Sequence, residues 1–252
     1  MSDRPQPTQQ RHRLYGRAAG KPLSKRQQGL IDDLLPKLAI PETAQHALAP
    51  LALFGALNNA EGAREVWLEI GFGGGEHLAG QAARNPHVGI VGVEPFIDGV
   101  AKLLTAVEEG GLGNVRVRRG DARDLVAQFP DASLDRVFIL FPDPWPKTRH
   151  RKRRLIQPDF VAELARVMKP GAKLRFATDW ADYANRALAD VSRDGRFVWQ
   201  AERADDWRVP PADHVTTRYQ EKRLGDCAPV FLDFVRTYCA GFPSNGFSNT
   251  RK

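Results

Sequence analysis

Between residues 64 and 200 the sequence alternates short apolar runs with segments of helical periodicity. The apolar runs are typical of buried strands and occupy 66–70, 88–94, 115–119, 134–141 and 172–178. Helical spacing of apolar residues marks 75–84, 97–109, 158–168 (closed by Pro170-Gly171) and 180–192, and further strands are predicted near 196–200 and 229–238. Strands that alternate with helices form βαβ units. The sequence therefore predicts an α/β fold with a mostly parallel, doubly wound sheet.

The length of 252 residues favours one large domain. Residues 1–28 are polar and basic and predict a flexible N-terminal arm, residues 29–245 a single domain, and 246–252 a tail. No stretch approaches the roughly 18 apolar residues of a membrane span, and the N-terminus lacks the apolar core of a signal peptide. We therefore expect a cytoplasmic protein whose two cysteines, Cys227 and Cys239, are reduced thiols.

Positive charge is concentrated in two segments. The whole chain carries a formal net charge of +7. Residues 1–26 contain seven basic residues and one acid, and residues 147–154 (KTRHRKRR) contain six basic residues and no acid. Since the rest of the chain is acidic on balance, this pattern favours a polyanionic partner at a defined surface.

A glycine-rich turn follows the first predicted strand, in the sequence Glu69-Ile-Gly71-Phe-Gly73-Gly-Gly. Such a turn at the carboxyl end of the first strand is where an α/β sheet binds a nucleotide-like cofactor. The dinucleotide fingerprint requires a glycine at the position of Glu76, so a nicotinamide-dependent oxidoreductase is disfavoured. An acid at Glu69 suits a positively charged cofactor without phosphate, such as S-adenosylmethionine, and the E-x-G-x-G pattern resembles the first motif of Rossmann-like methyltransferases.

Two further acids lie at the ends of neighbouring predicted strands. Glu94 ends the second strand, where a carboxylate can accept hydrogen bonds from both ribose hydroxyls. Asp121 follows the third strand, where methyltransferases place an acid near the adenine amino group. Together with Glu69 these acids are expected to line one crevice.

The fourth predicted strand ends in a proline-rich loop, FPDPWPK, at 141–147. Its three prolines exclude a helix and make the loop stiff. Asp143 lies within this loop, and the basic run starts immediately after it. A carboxylate beside a cofactor, flanked by phosphate-binding cations, fits a nucleic-acid base as substrate.

The motifs in this chain resemble those of the bacterial tRNA (guanine-N7-)-methyltransferase family. The resemblance is carried by PDPWPKTRHRKRRL (142–155), EIGFGGGEHL (69–78), GVEP (92–95), GDA (120–122), ATDWADYA (177–184) and TRYQEK (217–222). It implies a Rossmann-like methyltransferase fold with an antiparallel C-terminal strand. It also implies methyl transfer from S-adenosyl-L-methionine to N7 of a guanosine in the tRNA variable loop, at position 46. No membrane and no obligatory protein partner is expected, and the protein would be a monomer or a homodimer.

The resemblance also assigns residue roles. Asp143 would be catalytic, and the cofactor would contact Glu69, Gly71, Gly73, Glu94, Asp121 and Asp143. The guanosine would meet Lys147, Asp179, Thr217, Arg218, Tyr219 and Gln220, and phosphates would meet Arg149, Arg151, Lys152, Arg153 and Arg154. Many members have Glu at the position of Gln220, so either Gln220 or its neighbour Glu221 makes the contact to guanine.

Two other functions are compatible with parts of the sequence. An amino-methyltransferase uses an Asp/Asn-Pro-Pro-aromatic loop at the same strand end, but here the second proline is missing after Asp143-Pro144. A non-catalytic RNA-binding module would explain the basic run and would not bind S-adenosylmethionine. The six histidines show no metal-ligand spacing, so no metal is expected.

Overall fold

The computed structural model describes residues 20, 22–55 and 62–238. Most of the predicted arm, the predicted tail and Cys239 lie outside these residues. The chain divides into two compact units between Pro130 and Asp131. Among the described residues, no helix is long and apolar enough to cross a membrane.

The first unit contains three parallel strands in the order β3-β2-β1. Its elements are α1 (Lys25–Asp33), α2 (Leu35–Leu38), a 3₁₀ helix (Pro50–Phe54), β1 (Glu65–Ile70), α3 (Glu76–Arg84), β2 (Val88–Val93), α4 (Ile97–Gly110), β3 (Val115–Arg118) and α5 (Ala122–Val126). Helix α1 begins within the last residues of the predicted arm, because Ser24 and Gln27 form a capping box there.

Burial explains why the sequence pattern located these strands. Every residue of β2 is buried, as is every residue of β1 after Glu65. Strands covered on both faces need continuous apolar runs rather than alternation. The pairing of Glu69 with Gly92 and of Ile70 with Val93 brings the ends of β1 and β2 level, so their following residues emerge at one edge.

The second unit contains four strands in the order β4-β5-β7-β6. Its elements are β4 (Leu134–Leu140), a 3₁₀ helix (Thr148–Arg153), α6 (Pro158–Val167), β5 (Met168–Thr178), α7 (Ala181–Arg193), β6 (Phe197–Trp199), α8 (Asp205–Arg208), α9 (Arg218–Lys222) and β7 (Val230–Arg236). Strand β5 is parallel to β4, whereas β7 is antiparallel to both of its neighbours. The mostly parallel strands and the antiparallel C-terminal strand confirm the predicted fold class.

The prediction that Pro170-Gly171 separates the helix at 158–168 from the strand at 172–178 is wrong in detail. Strand β5 begins at Met168, directly after α6, and runs through both residues. Leu134 pairs with Met168 but Arg136 pairs with Lys173, so β5 carries extra residues at this irregularity. Proline and glycine in a strand are typical of such bulges, and Gly171 has the positive φ of 85° that favours glycine. Pro170 and Gly171 therefore mark a bulge within β5 rather than the end of the preceding helix.

Candidate active site

The turn between β1 and α3 requires glycine for its backbone conformation. Gly71, Gly73 and Gly75 have φ values of 71°, 55° and 82°. These values lie in the left-handed region, where L side chains are disfavoured. The Gly71 N–H donates to the Val93 carbonyl at 2.8 Å, which joins the turn to the end of β2.

Glu94 holds this turn from the end of β2. Its side chain is buried and accepts hydrogen bonds from the backbone N–H groups of Gly73 and Phe96, each at 3.0 Å. A Cβ atom on Gly99 would lie 2.2 Å from the Gly73 carbonyl oxygen, so the start of α4 also packs directly against the turn. The orientation of the Glu94 carboxylate at the end of β2 is therefore fixed by the turn.

Asp121 lies at the end of β3 and caps α5. Its buried carboxylate accepts from the Arg123 backbone N–H at 2.9 Å and from the Arg123 guanidinium. An N-terminal capping acid is stabilised by the helix dipole as well as by these hydrogen bonds. The cap fixes the position of the side chain that was predicted to lie near the adenine.

A residue that the sequence analysis did not assign to the site contacts Glu69. His77 on α3 is fully buried, and its Nδ1 atom lies 2.6 Å from Oε2 of Glu69. The Gln81 side-chain amide lies 3.2 Å from Nε2 of the same ring. The simplest consistent assignment has Nδ1–H donating to Glu69 and Nε2 accepting from Gln81. In the sequence, the i, i+4 spacing of His77 and Gln81 indicates that these two side chains are neighbours on α3. It does not reveal that Glu69 on β1 is the other partner of His77.

The first unit thus holds three predicted cofactor-binding acids at the carboxyl ends of three neighbouring strands. Glu69, Glu94 and Asp121 are all buried. Buried acids at one sheet edge suit a ligand that carries positive charge and hydrogen-bond donors. Among the described residues, no group of three or more His, Cys, Asp or Glu side chains could hold a metal ion.

The proline-rich loop of the second unit contains two strained residues. Phe141 and Trp145 have φ values of 50° and 41°. For large side chains this conformation costs on the order of 1–3 kcal/mol each and persists only where the surroundings enforce it. Asp143 lies between them with an exposed side chain, yet partial desolvation by the surrounding protein raises the pKa of its carboxyl group.

The basic run forms the 3₁₀ helix that follows this loop. Lys147, Arg149, Arg151 and Lys152 are exposed. The Arg153 guanidinium lies 5.1 Å from the centre of the Trp145 ring. Desolvation, together with the positive charges of its arginine and lysine neighbours, lowers the pKa of His150, whose ring meets Trp145 edge-on at 6.0 Å.

Arg154 does not fit its expected role as a phosphate contact. It is only 3% exposed. Its Nε donates to the Pro144 carbonyl oxygen at 2.7 Å, and its Nη2 pairs with Asp182 at 2.7 Å. The sequence identifies the basic run, but it does not indicate which of its side chains is buried.

Asp179, predicted to meet the guanosine, holds a neighbouring loop. Its buried carboxylate accepts from the Gly225 N–H at 2.8 Å, and its carbonyl accepts from the Cys227 N–H at 3.0 Å. A Cβ atom on Gly225 would lie 1.9 Å from the Asp179 carbonyl oxygen, so only glycine fits. The structure thus places Asp179 at the junction of β5, α7 and the 225–227 loop.

Thr217 caps α9 and thereby places the four-residue segment predicted to bind substrate. Its buried hydroxyl accepts from the Gln220 N–H at 3.3 Å. Arg218, Tyr219 and Glu221 are exposed. By contrast, Gln220 is half-buried, and its Oε1 atom lies 2.7 Å from Nε2 of His214. The structure therefore fixes the orientation of Gln220 and leaves Glu221 in solvent.

The residue before His214 is tied to the sheet by two arginines. Oδ1 of Asp213 lies 2.6 Å from Nη1 of Arg175 on β5, and its Oδ2 lies 2.6 Å from Nη2 of Arg136 on β4. Desolvation of the Asp213 carboxyl group opposes its ionisation, but the hydrogen bonds and charges of both arginines outweigh that effect and lower its pKa to about 2. This ion-pair cluster holds the segment that leads into α9.

This chain is similar to known methyltransferases. A family model described as "Putative methyltransferase" matches residues 63–229. Among solved structures, a 16S rRNA methyltransferase, KamB, superposes with a TM-score of 0.51 and 17% identity, covering 69% of this chain and 89% of that chain. The fold is therefore that of the Rossmann-like methyltransferases.

The more similar relatives are tRNA (guanine-N(7)-)-methyltransferases. The protein from Caulobacter vibrioides is 58% identical over 224 residues, which cover 89% of this chain and 95% of the relative. That from Hyphomonas neptunium is 55% identical over 222 residues (88% and 98%), and that from Ruegeria pomeroyi is 48% identical over 231 residues (91% and 97%). The chain belongs to the tRNA (guanine-N(7)-)-methyltransferase family, which confirms the resemblance seen in its motifs.

Proposed function

We propose that this protein transfers a methyl group from S-adenosyl-L-methionine to N7 of a guanosine in the variable loop of tRNA, at position 46. The observation that carries the proposal is the 58% identity to a tRNA (guanine-N(7)-)-methyltransferase across 89% of this chain. The buried acids at the ends of β1, β2 and β3 support the choice of methyl donor. The exposed cations of the second unit support a polyanionic substrate.

The first unit would hold the methyl donor, which supplies an electrophilic methyl group on a sulfonium. Glu94, whose carboxylate is oriented by the N–H groups of Gly73 and Phe96, would accept hydrogen bonds from the ribose hydroxyls. Asp121 would accept from the adenine amino group, and Glu69 would favour the positively charged part of the donor. Gly71 and Gly73 allow the backbone to approach the ligand closely.

The chemistry of guanine N7 determines what the protein must contribute. N7 carries an in-plane lone pair and no proton, so its methylation needs no general base there. The chain must align N7 with the methyl group, and positioning should therefore supply much of the acceleration. Positive charge moves onto the purine during transfer, and a fixed carboxylate beside the base stabilises it.

Asp143 is the residue we assign to that role. Its carboxylate would accept hydrogen bonds from guanine N1–H and N2–H₂, which would also select guanine over adenine. Asp179, Thr217 and Gln220 would complete the base-binding surface, and Lys147, Arg218 and Tyr219 would lie at its rim. Arg149, Arg151, Lys152 and Arg153 would contact phosphates, which add affinity without sequence selectivity.

The test is incubation of the full chain with unmodified tRNA and labelled S-adenosylmethionine, followed by mass analysis of the nucleosides. We expect 7-methylguanosine as the product, located in the variable loop. The variant Asp143→Asn should lose most of its turnover and retain its affinity for the cofactor in a calorimetric titration. A product methylated on an exocyclic nitrogen, or no cofactor binding, would overturn the proposal.

A further inference from the structure

We propose that Arg154 is a positioning residue, which fixes the Asp143 loop against the start of α7 and takes no part in binding RNA. The proposal rests on the proposed function, because it assigns Arg154 to the loop that carries Asp143. It also separates Arg154 from the five arginines and lysines that precede it in the basic run (147–154).

The contacts of Arg154 connect the end of the 3₁₀ helix with the Asp143 loop and with α7. Its Nε donates to the carbonyl oxygen of Pro144, the residue directly after Asp143, at 2.7 Å. Its Nη2 pairs at 2.7 Å with Asp182, in the first turn of α7. The guanidinium lies 4.7 Å from the centre of the Tyr183 ring, which is fully buried. One planar group thus holds the loop and the helix in a defined relation.

Arg154 is the C-cap of the 3₁₀ helix (Thr148–Arg153) and shares its carboxylate partner with Arg151. In a 3₁₀ helix, residues three apart lie above one another on the same side. Arg151 and Arg154 are three apart, and both reach the carboxylate of Asp182, at 3.0 and 2.7 Å. The Arg154 N–H also donates to the Arg151 carbonyl at 3.0 Å, which closes the last turn. Lys152 is exposed.

The loop needs such support because its conformation is unfavourable. Phe141 and Trp145 hold positive φ values on either side of Asp143. A strained conformation persists only when tertiary contacts enforce it. The partly buried hydrogen bond from Arg154 to Pro144 lies in the middle of this strained stretch. Its loss would let the Asp143 carboxylate drift, and a displacement of about 1 Å can cost about a hundredfold in rate.

The experiment compares Arg154→Lys with Arg149→Gln, an exposed cation of the same run. Lysine keeps the charge but lacks the planar fork, in which Nε donates to Pro144 and Nη2 to Asp182 from two separate atoms. For Arg154→Lys we expect kcat to fall about ten- to a hundredfold, with an unchanged Kd for tRNA and an unchanged salt slope. For Arg149→Gln we expect weaker tRNA binding and a shallower salt slope.

Arg236→Lys is the matched control for general destabilisation. Arg236 also donates through Nε to a backbone carbonyl, that of Ala165 at 2.6 Å. Arg236 and Asp179 lie at opposite ends of the β5–β7 pairing. Val235, the residue before Arg236, pairs with Lys173, whereas Thr178, the residue before Asp179, pairs with Val230. This variant should lower the Tm without changing kcat. A kcat loss that merely followed Tm in both variants would overturn the positioning role.

Asp182→Asn provides a second measurement that does not depend on the stability of the Arg154 variant. Its side chain is 47% exposed, so the fold tolerates the change. It weakens the hold on Arg154 and frees Arg151, so we expect a lower kcat together with equal or tighter tRNA binding. A higher affinity with unchanged kcat would overturn the proposal. Wild-type protein that forms no 7-methylguanosine would instead refute the proposed function itself.

Discussion

The imidazole of His77 donates to a carboxylate that solvent scarcely reaches. Its Nδ1 lies 2.6 Å from Oε2 of Glu69, and the two side chains are 0% and 3% exposed. A buried carboxylate without a donor is costly, so α3 stabilises the acid at the end of β1 through this contact. The same contact restricts the orientation that Glu69 can present to a cofactor.

Replacing His77 by leucine should therefore affect both stability and cofactor binding. The change leaves the buried Glu69 carboxylate without its hydrogen-bond donor on α3, which costs about 1–3 kcal/mol or more in comparable cases. Urea denaturation measures the stability, and calorimetric titration with S-adenosylmethionine measures affinity, which should fall. His87→Gln changes an exposed histidine and serves as the control. Equal cofactor affinity in a folded His77→Leu protein would contradict the orienting role.

The open choice between Gln220 and Glu221 can be decided by substitution. The structure orients Gln220 through His214, at 2.7 Å, and leaves Glu221 exposed. We expect Gln220→Ala to lower kcat/KM for tRNA by about tenfold or more, since a specific hydrogen bond to the base is lost. Glu221→Gln should remain near wild type. The reverse ranking in steady-state kinetics would assign the contact to Glu221.

The Asp213 ion pairs predict a defined sensitivity to acid. Because the folded-state pKa of Asp213 is lowered to about 2, its contribution to stability is fully present above its unfolded value and is lost as the pH falls towards 2. Partial exposure limits that contribution to about 1 kcal/mol. Asp213→Asn should therefore be less stable at neutral pH and lose less stability between pH 4 and pH 2. Denaturation curves across this range, with the exposed Asp33→Asn as control, provide the measurement.

The exposed cations predict the salt dependence of tRNA binding. Each phosphate contact adds about 0.7–0.9 to the slope of log K against log salt concentration. Arg149→Gln and Lys152→Gln should each reduce the magnitude of this slope by about that amount. Lys37→Gln, an exposed lysine on α2, is the matched control and should leave the slope unchanged. Identical slopes for all three proteins would exclude the basic run from the RNA interface.

The close approach of Gly225 to Asp179 predicts a severe effect for a small substitution. A Cβ atom there would lie 1.9 Å from a backbone oxygen, so Gly225→Ala must displace either the loop or the end of β5. We expect a loss of about 1–3 kcal/mol in the free energy of unfolding and a sharp fall in turnover. Gly29→Ala is the control, because nothing lies within 4 Å of its Cβ position in α1 and helix propensity favours the change.

The sequence located the strands and the acids at their ends because both leave local patterns. Runs such as VGIVGV in β2 are apolar throughout since they are buried on both faces. The predicted strand at 66–70 and the observed β1 at 65–70 differ by one residue. Glu94 and Asp121 could be found because the apolar run of each strand defines where that strand ends, and each acid follows such a run.

The remaining parts of the site depend on contacts between residues far apart in the chain. Arg175 and Asp213 are 38 residues apart, and Arg154 and Asp182 are 28 residues apart. Neither spacing has a periodic signature, so a single sequence cannot indicate such pairs. The inward turn of Arg154 additionally depends on a 3₁₀ helix, which its charged residues do not predict.

Strand β7 has a consequence for biosynthesis. It is the last described strand along the chain, yet it lies between β5 and β6 and pairs with both. While the ribosome is still extending the polypeptide, one side of β5 and the short β6 must wait for residues 230–236 to emerge. Open strand edges of this kind are prone to aggregate. Premature termination inside β7 would therefore yield insoluble protein rather than a shortened active enzyme.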